Sequence, residues 1–311
     1  MDFLRFLEGI RTPIGDVLMS AVTHLGEETL FMILALTIFW CVDKNRGYFL
    51  LFAGFTGTVC VQFLKMLFRI PRPWVLDPDF SIVESARAEA TGYSFPSGHT
   101  QIATTFYGGL ARSAKTRSFS IVCIVIWLLV AFSRMYLGVH TPLDVLVSMA
   151  IGLALVLLYY PLMNKASRDP RLMYALIGAM LLLTLGNLLF VELFRFPADL
   201  DLTIFANARK VAWQLLFIIL GLCVIYPMDR HVIKFQTDAV WWAQILKLAG
   251  GTTLIILCRA LLKAPLHTLF AGHPISDGIR YFIIVVAAGV LWPLTFRYFA
   301  KLGKQKKEKT A

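Results

Sequence analysis

Residues 118–162 read SFSIVCIVIWLLVAFSRMYLGVHTPLDVLVSMAIGLALVLLYYPL, two apolar runs joined by a short polar segment around His140. Each run is about twenty residues long, the length that crosses a bilayer as an α-helix. Similar runs recur along the whole chain. Of its 311 residues, 58% are hydrophobic and only 16% charged, whereas a soluble domain carries about a quarter charged residues. The expected fold is all-α, a polytopic transmembrane helical bundle. Nine spans are expected, at about 27–42, 46–68, 97–113, 118–137, 142–162, 171–194, 209–228, 240–262 and 278–300.

Ahead of the first span, Phe3, Phe6, Leu7, Ile10, Ile14, Val17 and Leu18 recur at helical spacing. Arg5, Glu8 and Arg11 interrupt them before the apolar core of a cleavable leader can form. Residues 1–26 are therefore expected to form an interfacial amphipathic helix. Behind it come a five-span core (27–165), a four-span extension of unknown role (166–300) and a basic tail (301–311).

The net charge of +11 does not indicate a nucleic-acid partner. The cations fall in short loops between apolar runs and in the tail Lys301, Lys304, Lys306, Lys307 and Lys309, with no aromatic–basic interleaving. Lys44/Arg46, Arg112/Lys115/Arg117, Lys165/Arg168/Arg171 and Arg230/Lys234 occupy alternate loops, on the side of the tail. The positive-inside bias makes that side cytoplasmic. Nine spans then place the N-terminus and the loops 69–96, 138–141, 195–208 and 263–277 outside, as in a cell-membrane protein. The five cysteines sit in or beside apolar runs without metal-ligand spacing, so neither a disulfide framework nor a zinc site is expected.

Three segments carry chemistry, and all three fall on the outer face. In 133–144 (SRMYLGVHTPLD), Thr141-Pro142 reads as a helix start. His140 then lies just ahead of the helix, with Asp144 placed to reach one ring nitrogen. That pairing fixes the tautomer and frees the other nitrogen as a nucleophile. Arg134 closes the preceding helix six residues earlier, across a turn containing Gly138. In 96–99 (PSGH), a second helix start offers free backbone N–H groups to an anion. Gly98 allows close approach, Ser97 adds a hydroxyl, and His99 can protonate a leaving oxygen. In 65–73 (KMLFRIPRP), Lys65 and Arg72 are two helical turns apart, and Pro71 and Pro73 bend Arg72 back over the surface.

Each element alone has an ordinary explanation: a snorkelling cation, a turn, an interfacial histidine. Together they give two histidines, of which one has a carboxylate partner. The expected reaction is attack of His140 on phosphorus, with His99 protonating the leaving alkoxide. Lys65, Arg72, Arg134, Ser97 and Gly98 hold the equatorial oxygens. A phosphohistidine forms and is hydrolysed. No metal or other cofactor is required, because cations already neutralise the phosphate and no Mg²⁺-type carboxylate cluster is visible.

The pattern K-x6-RP, PSGH, SR-x5-H-x3-D resembles the three-part signature of the type 2 phosphatidic acid phosphatase superfamily, matching every signature position across Lys65–Asp144. The resemblance implies a helical core and a metal-independent phosphohistidine mechanism, with the same roles for these residues. The nine-span layout is similar to the glucose-6-phosphatase and sphingosine-1-phosphate phosphatase branches. The expected substrate is a lipid phosphate or diphosphate (polyprenyl diphosphate, phosphatidate, phosphatidylglycerophosphate or sphingoid phosphate). A soluble sugar phosphate is the alternative, and a lipid transporter using the same basic pocket is the other class. Asn187, Glu192, Gln214, Lys247 and Arg259 leave room for transport. The 74–95 loop reads equally as a lid or as solvated chain, and His24, His231, His267 and His273 are assigned no chemistry.

Overall fold

The structure is a computed structural model and describes residues 1–197 and 200–302; Lys304, Lys306, Lys307 and Lys309 of the basic tail lie outside the described residues. The described residues form helices and connecting segments, without a strand. In order they are α1 (Asp2–Gly9), α2 (Pro13–Thr23), a 3-10 turn (His24–Gly26), α3 (Glu28–Cys41), α4 (Lys44–Phe68), α5 (Pro73–Leu76), α6 (Gly98–Arg112), α7 (Arg117–Tyr136), α8 (Pro142–Ala166) and α9 (Pro170–Leu193). Then follow α10 (Leu202–Met228), α11 (Trp241–Leu261), α12 (Lys263–Leu269), α13 (Ile275–Val286) and α14 (Phe296–Phe299).

Seven helical stretches among the described residues are long and apolar enough to span a membrane. An eighth is present if Pro13–Gly26 and Glu28–Cys41, bent by 48° at their junction, count as one. The protein is a polytopic α-helical membrane protein, with two differences from the nine-span expectation. The helix expected at 97–113 is α6, only 15 residues long. At about 1.5 Å per residue that is roughly 22 Å, short of a hydrocarbon core near 30 Å. The amphipathic stretch at residues 1–26 is two helices, not one. Thr12 accepts from Gly15 N and Pro13 occupies the first turn, so the local sequence starts a new helix there. Leu4 and Leu7 of α1 are buried, whereas Ile14, Val17 and Leu18 of α2 stay exposed.

The chain divides into two compact units. One comprises Met1–Ala35, Phe49–Arg168 and Pro197–Asn207; the other comprises Leu36–Tyr48, Asp169–Phe196 and the chain from Ala208 onward. The N-terminal helices therefore group with the helices that carry the three motifs.

In the first unit α6 is the central helix: Thr100 through Gly109 are all buried, against α7 and α8. Its first turn, including His99 and Gln101, lines a cavity, whereas its threonines are satisfied along the helix. Thr104 Oγ1 donates to Thr100 O at 2.7 Å, Thr105 Oγ1 to Gln101 O at 3.0 Å, and Gln101 Nε2 to Thr105 Oγ1 at 3.2 Å. Threonine hydroxyls satisfied on the preceding turn can be buried among apolar helices at little cost. By contrast, α7 turns Ile121, Val125 and Leu128 outward, as a lipid-facing helix does.

The 74–95 segment is packed rather than solvated. Phe80, Ile82, Ala86 and Ala90 are buried, and Val83 N donates to Leu137 O at 3.1 Å. α1 fastens it: Arg5 pairs with Asp77 at 2.7 Å and Glu8 accepts from Ser81 N at 2.8 Å.

In the second unit, two of the five polar residues considered for transport, Glu192 and Lys247, have internal partners. Glu192 accepts from Arg209 at 2.8 Å and from Trp213 Nε1 at 2.9 Å. Lys247 is fully buried, donates to Thr237 O at 3.0 Å and lies over the Phe296 ring. For these two residues the partners describe packing.

Candidate active site

The three motifs meet at one end of the first unit. Ser97 N donates to Asp144 O at 3.3 Å, joining the starts of α6 and α8. The end of α7 curls onto the same place. Gly138 takes a left-handed φ of +80° that a side chain would strain, and Val139 N and His140 N both donate to Arg134 O at 3.2 Å. The turn thus fixes the imidazole of His140 relative to the Arg134 backbone.

The helix-start reading at Thr141 is correct in detail. Thr141 Oγ1 accepts from Asp144 N at 3.3 Å and Asp144 Oδ2 accepts from Thr141 N at 2.8 Å, a reciprocal capping box. The same Oδ2 accepts from Ser94 Oγ at 2.6 Å and faces His140 Nδ1 at 3.5 Å. That separation is an ion-pair distance and not a hydrogen bond. On its other side, His140 Nε2 lies 3.0 Å from Nη1 of Arg72. A guanidinium only donates, so Nε2 is the unprotonated nitrogen and Nδ1 carries the hydrogen, toward the carboxylate. His140 is buried, and burial, reinforced by Arg72, Arg134 and Lys65, holds its ring well below the ordinary 6.5. It is neutral near pH 7, with a lone pair on Nε2.

The cations differ in how much they leave for a ligand. Arg72 Nε donates to Gly92 O, Nη1 to Val139 O and His140 Nε2, and Nη2 to Thr91 O, all at 2.9–3.0 Å. Four of the five guanidinium hydrogens are thereby used, so Arg72 is as much a clamp on residues 91–92 as an anion ligand. Lys65 Nζ donates to Tyr93 O. Arg134 is the opposite case. It is fully buried, its Nη1 donates to Thr23 Oγ1 at 2.6 Å, and its Nε and Nη2 have no partner. Two adjacent unsatisfied donors on a buried guanidinium form the fork that grips two oxygens of one phosphate.

Arg134 lines a cavity of about 320 Å³ together with Lys65, Arg72, Gly98, His99, His140, Glu27, Glu89, Thr91 and Gln101. His99 Nε2 is buried without a partner. At the start of α6, a Cβ on Gly98 would meet open space, and the first intrahelical donors, Thr100 N and Gln101 N, are turned to Ser97 Oγ and O. The N–H groups of Gly98 and His99 precede them and suit an anion. Ser97 itself is the buried N-cap, its hydroxyl accepting from Thr100, and it does not line the cavity.

The N-terminal turn contributes residues outside the three motifs. Thr23 holds Arg134, Glu27 lines the cavity, and Leu25 O accepts from Tyr107 OH at 3.0 Å. Gly26 makes the close approach possible: a Cβ there would lie 2.6 Å from Val130 Cγ1 and 3.1 Å from His99 O. Carboxylate oxygens of Glu27 and Glu89 and a ring nitrogen of His99 all lie within 4.8 Å of one another. His24, assigned no chemistry from spacing, pairs with Glu27. The carboxylate cluster that the sequence did not show is therefore assembled by tertiary packing.

Residues 46–168, which contain all three motifs, match the family model described as the PAP2 superfamily. The chain belongs to the PAP2 superfamily. Residues 213–306 match a second model, the transmembrane extension of PAP2 superfamily phosphatases, which accounts for helices that carry no motif. Phosphatidylglycerophosphatase B of Bacillus subtilis is 28% identical over 173 residues, 51% of this chain and 80% of the relative. Sphingosine-1-phosphate phosphatase 1 of Mus musculus is 23% identical over 275 residues, 82% of this chain and 62% of the relative. Among solved structures, LpxE of Aquifex aeolicus aligns with a TM-score of 0.45 at 27% identity, covering 51% of this chain and 92% of that one. This PAP2 protein is a phosphoric ester hydrolase embedded in a membrane.

Proposed function

We propose that this PAP2 protein hydrolyses a lipid phosphate or diphosphate, without a metal, through a phosphohistidine on His140. The observation that carries the reading is Arg134: a fully buried cation with two unpartnered donors, lining the same cavity as His99 and His140. Burying such donors unpaired costs several kcal/mol, which a bound phosphate offsets. Nε2 of His140 attacks phosphorus in line, and Arg134, Lys65, the remaining Arg72 hydrogen and the α6 N-terminus hold the equatorial oxygens. His99 gives its proton to the leaving oxygen, then takes one from the water that cleaves the N–P bond.

A lipid substrate is supported by the membrane setting and by the relatives, one named for phosphatidylglycerophosphate and another for sphingosine-1-phosphate. The test is phosphate release by purified protein in detergent, comparing polyprenyl, glycerolipid, sphingoid and sugar phosphates with and without EDTA. Release from a lipid phosphate is expected to persist in EDTA. Loss in EDTA would instead assign a cation to Glu27, Glu89 and His99, and preference for a sugar phosphate would overturn the lipid reading.

The site is assigned to the extracytoplasmic face on loop charge alone. In a background lacking the native cysteines, Ser81→Cys should react with an impermeant thiol reagent added outside intact cells, and Lys115→Cys should not. The reverse pattern would invert the orientation.

A further inference from the structure

Among the described residues, the guanidinium of Arg134 is held at a single point. Its Nη1 donates to Thr23 Oγ1 at 2.6 Å, while Nε and Nη2 are buried without a partner. A guanidinium on its flexible stem can pivot, and a fork that pivots does not present two donors to two oxygens of one phosphate. The direction of the open edge is therefore set by the Thr23 oxygen. Thr23 is itself buried, and its branched Cβ restricts the torsion that carries the hydroxyl.

That oxygen is fixed in turn by the seating of α2 on α7. At the start of α2, a Cβ on Gly15 would collide with the Tyr136 hydroxyl, and Thr12 N donates to the same hydroxyl at 3.1 Å. Beyond its end, Gly26 packs against Val130, one turn ahead of Arg134 on α7. Glycine at both contacts lets the backbones come close. Ser20 Oγ and Ser85 Oγ share a hydrogen bond of 2.8 Å, which ties the middle of α2 to the 74–95 segment. Arg11, just ahead of α2, donates from Nε to Tyr136 O at 2.9 Å and from Nη1 to Ser81 O at 2.7 Å. Tyr136 O lies in the last turn of α7, where carbonyls lack helical partners, so Arg11 caps the helix that carries Arg134. Arg11 through Gly26 all lie ahead of the segment that matches the family model.

We propose that Thr23 is a positioning residue for phosphoryl transfer: its hydroxyl, fixed by the seating of α2 on α7, aims the Nε–Nη2 edge of Arg134 at the phosphate. The proposal rests on the reading of Arg134 as the phosphate fork above. Thr23 is not among the residues lining the cavity, and it makes and breaks no bond in the reaction. It acts through Arg134, and it gives the segment ahead of the family match a share in catalysis.

The experiment measures kcat/KM on a lipid phosphate, and inhibition by vanadate, for purified full-length wild type, Thr23→Val, Thr23→Ser, Arg134→Lys and the Thr23→Val, Arg134→Lys double variant. Valine matches the shape of threonine but offers no acceptor. Thr23→Val is expected to lower kcat/KM about tenfold and to weaken vanadate inhibition by a similar factor. Thr23→Ser keeps the oxygen and should recover most of both. In the Arg134→Lys background, where the two-pronged edge is already gone, Thr23→Val should cost less than about twofold. A role in folding alone would affect both backgrounds alike, so equal losses in the two would overturn the proposal. Unchanged vanadate inhibition of Thr23→Val, or a Thr23→Ser enzyme as impaired as Thr23→Val, would do the same. Thr23→Ala carries the same comparison if Thr23→Val does not fold. If Arg134→Lys keeps full kcat/KM and full vanadate inhibition, the fork reading itself fails. If Arg134→Lys loses both and Thr23→Val loses neither, only the positioning role fails.

Discussion

His140→Ala should abolish phosphate release, lowering kcat by about 10⁴-fold or more, the scale seen when a covalent nucleophile is removed from a concerted site. The reason lies in its hydrogen-bonding pattern. Arg72 donates to Nε2, leaving no hydrogen there, so that nitrogen carries a lone pair before substrate arrives and attacks by exchanging the Arg72 contact for phosphorus. Burial and three neighbouring cations keep the ring neutral well below its ordinary value. Because the protonated ring appears only as pH falls past that lowered value, protonation of His140 should not limit activity until well below pH 6.5. Quenching wild type turning over ³²P-labelled lipid phosphate in alkaline detergent should trap label on the protein that later acid treatment releases, absent in His140→Ala. Retention of release by the variant, or label that survives acid, would exclude the nucleophile assigned here.

Arg134→Lys should cost on the order of 10²–10³-fold in kcat/KM despite conserving charge. The side chain is fully buried, with Nη1 committed to Thr23 and the Nε–Nη2 edge open. An ammonium can replace the charge but not the planar two-pronged edge, and it leaves the Thr23 hydroxyl without its donor. Vanadate, which adopts the five-coordinate geometry of phosphoryl transfer, should lose inhibition in parallel. Arg72→Lys is a different experiment, because four hydrogens of that guanidinium hold residues 91–92, Val139 and His140 in place. Unchanged vanadate inhibition of the Arg134→Lys enzyme would show that Arg134 supplies charge alone.

Much of this was legible in the sequence because its signals are local. Apolar runs of span length mark α4, α7, α8 and α9, and Thr141-Pro142 with Asp144 spells a capping box without tertiary information. Convergence of the motifs was inferable from loop charge, since helix ends on one side of a bilayer are brought near each other by connectivity. What escaped was set by packing between distant segments. Ser97 carries a hydroxyl suited to phosphate, and only the structure shows its oxygen also accepting from Thr100 as the α6 cap. Asp144 faces Nδ1 of the His140 ring at 3.5 Å as expected, but the sharing of its oxygen with Ser94 and Thr141 was not foreseeable. Thr23, Glu27 and Glu89 have no spacing that links them to His99; a glycine at 26 was the only hint, and glycines in turns are commonplace. The short α6 and the split at Pro13 escaped for another reason. Hydropathy measures composition in a window, not whether a helix is long enough to cross alone.

The cavity draws on residues from Glu27 to His140 and buries charges that no single helix can shelter. Spans insert one by one on their own apolarity, whereas the arginines leave water only when those spans close on each other. The cost of that last desolvation falls wholly on the assembled site. Loosened packing between these helices is therefore expected to disassemble the site before any span leaves the bilayer.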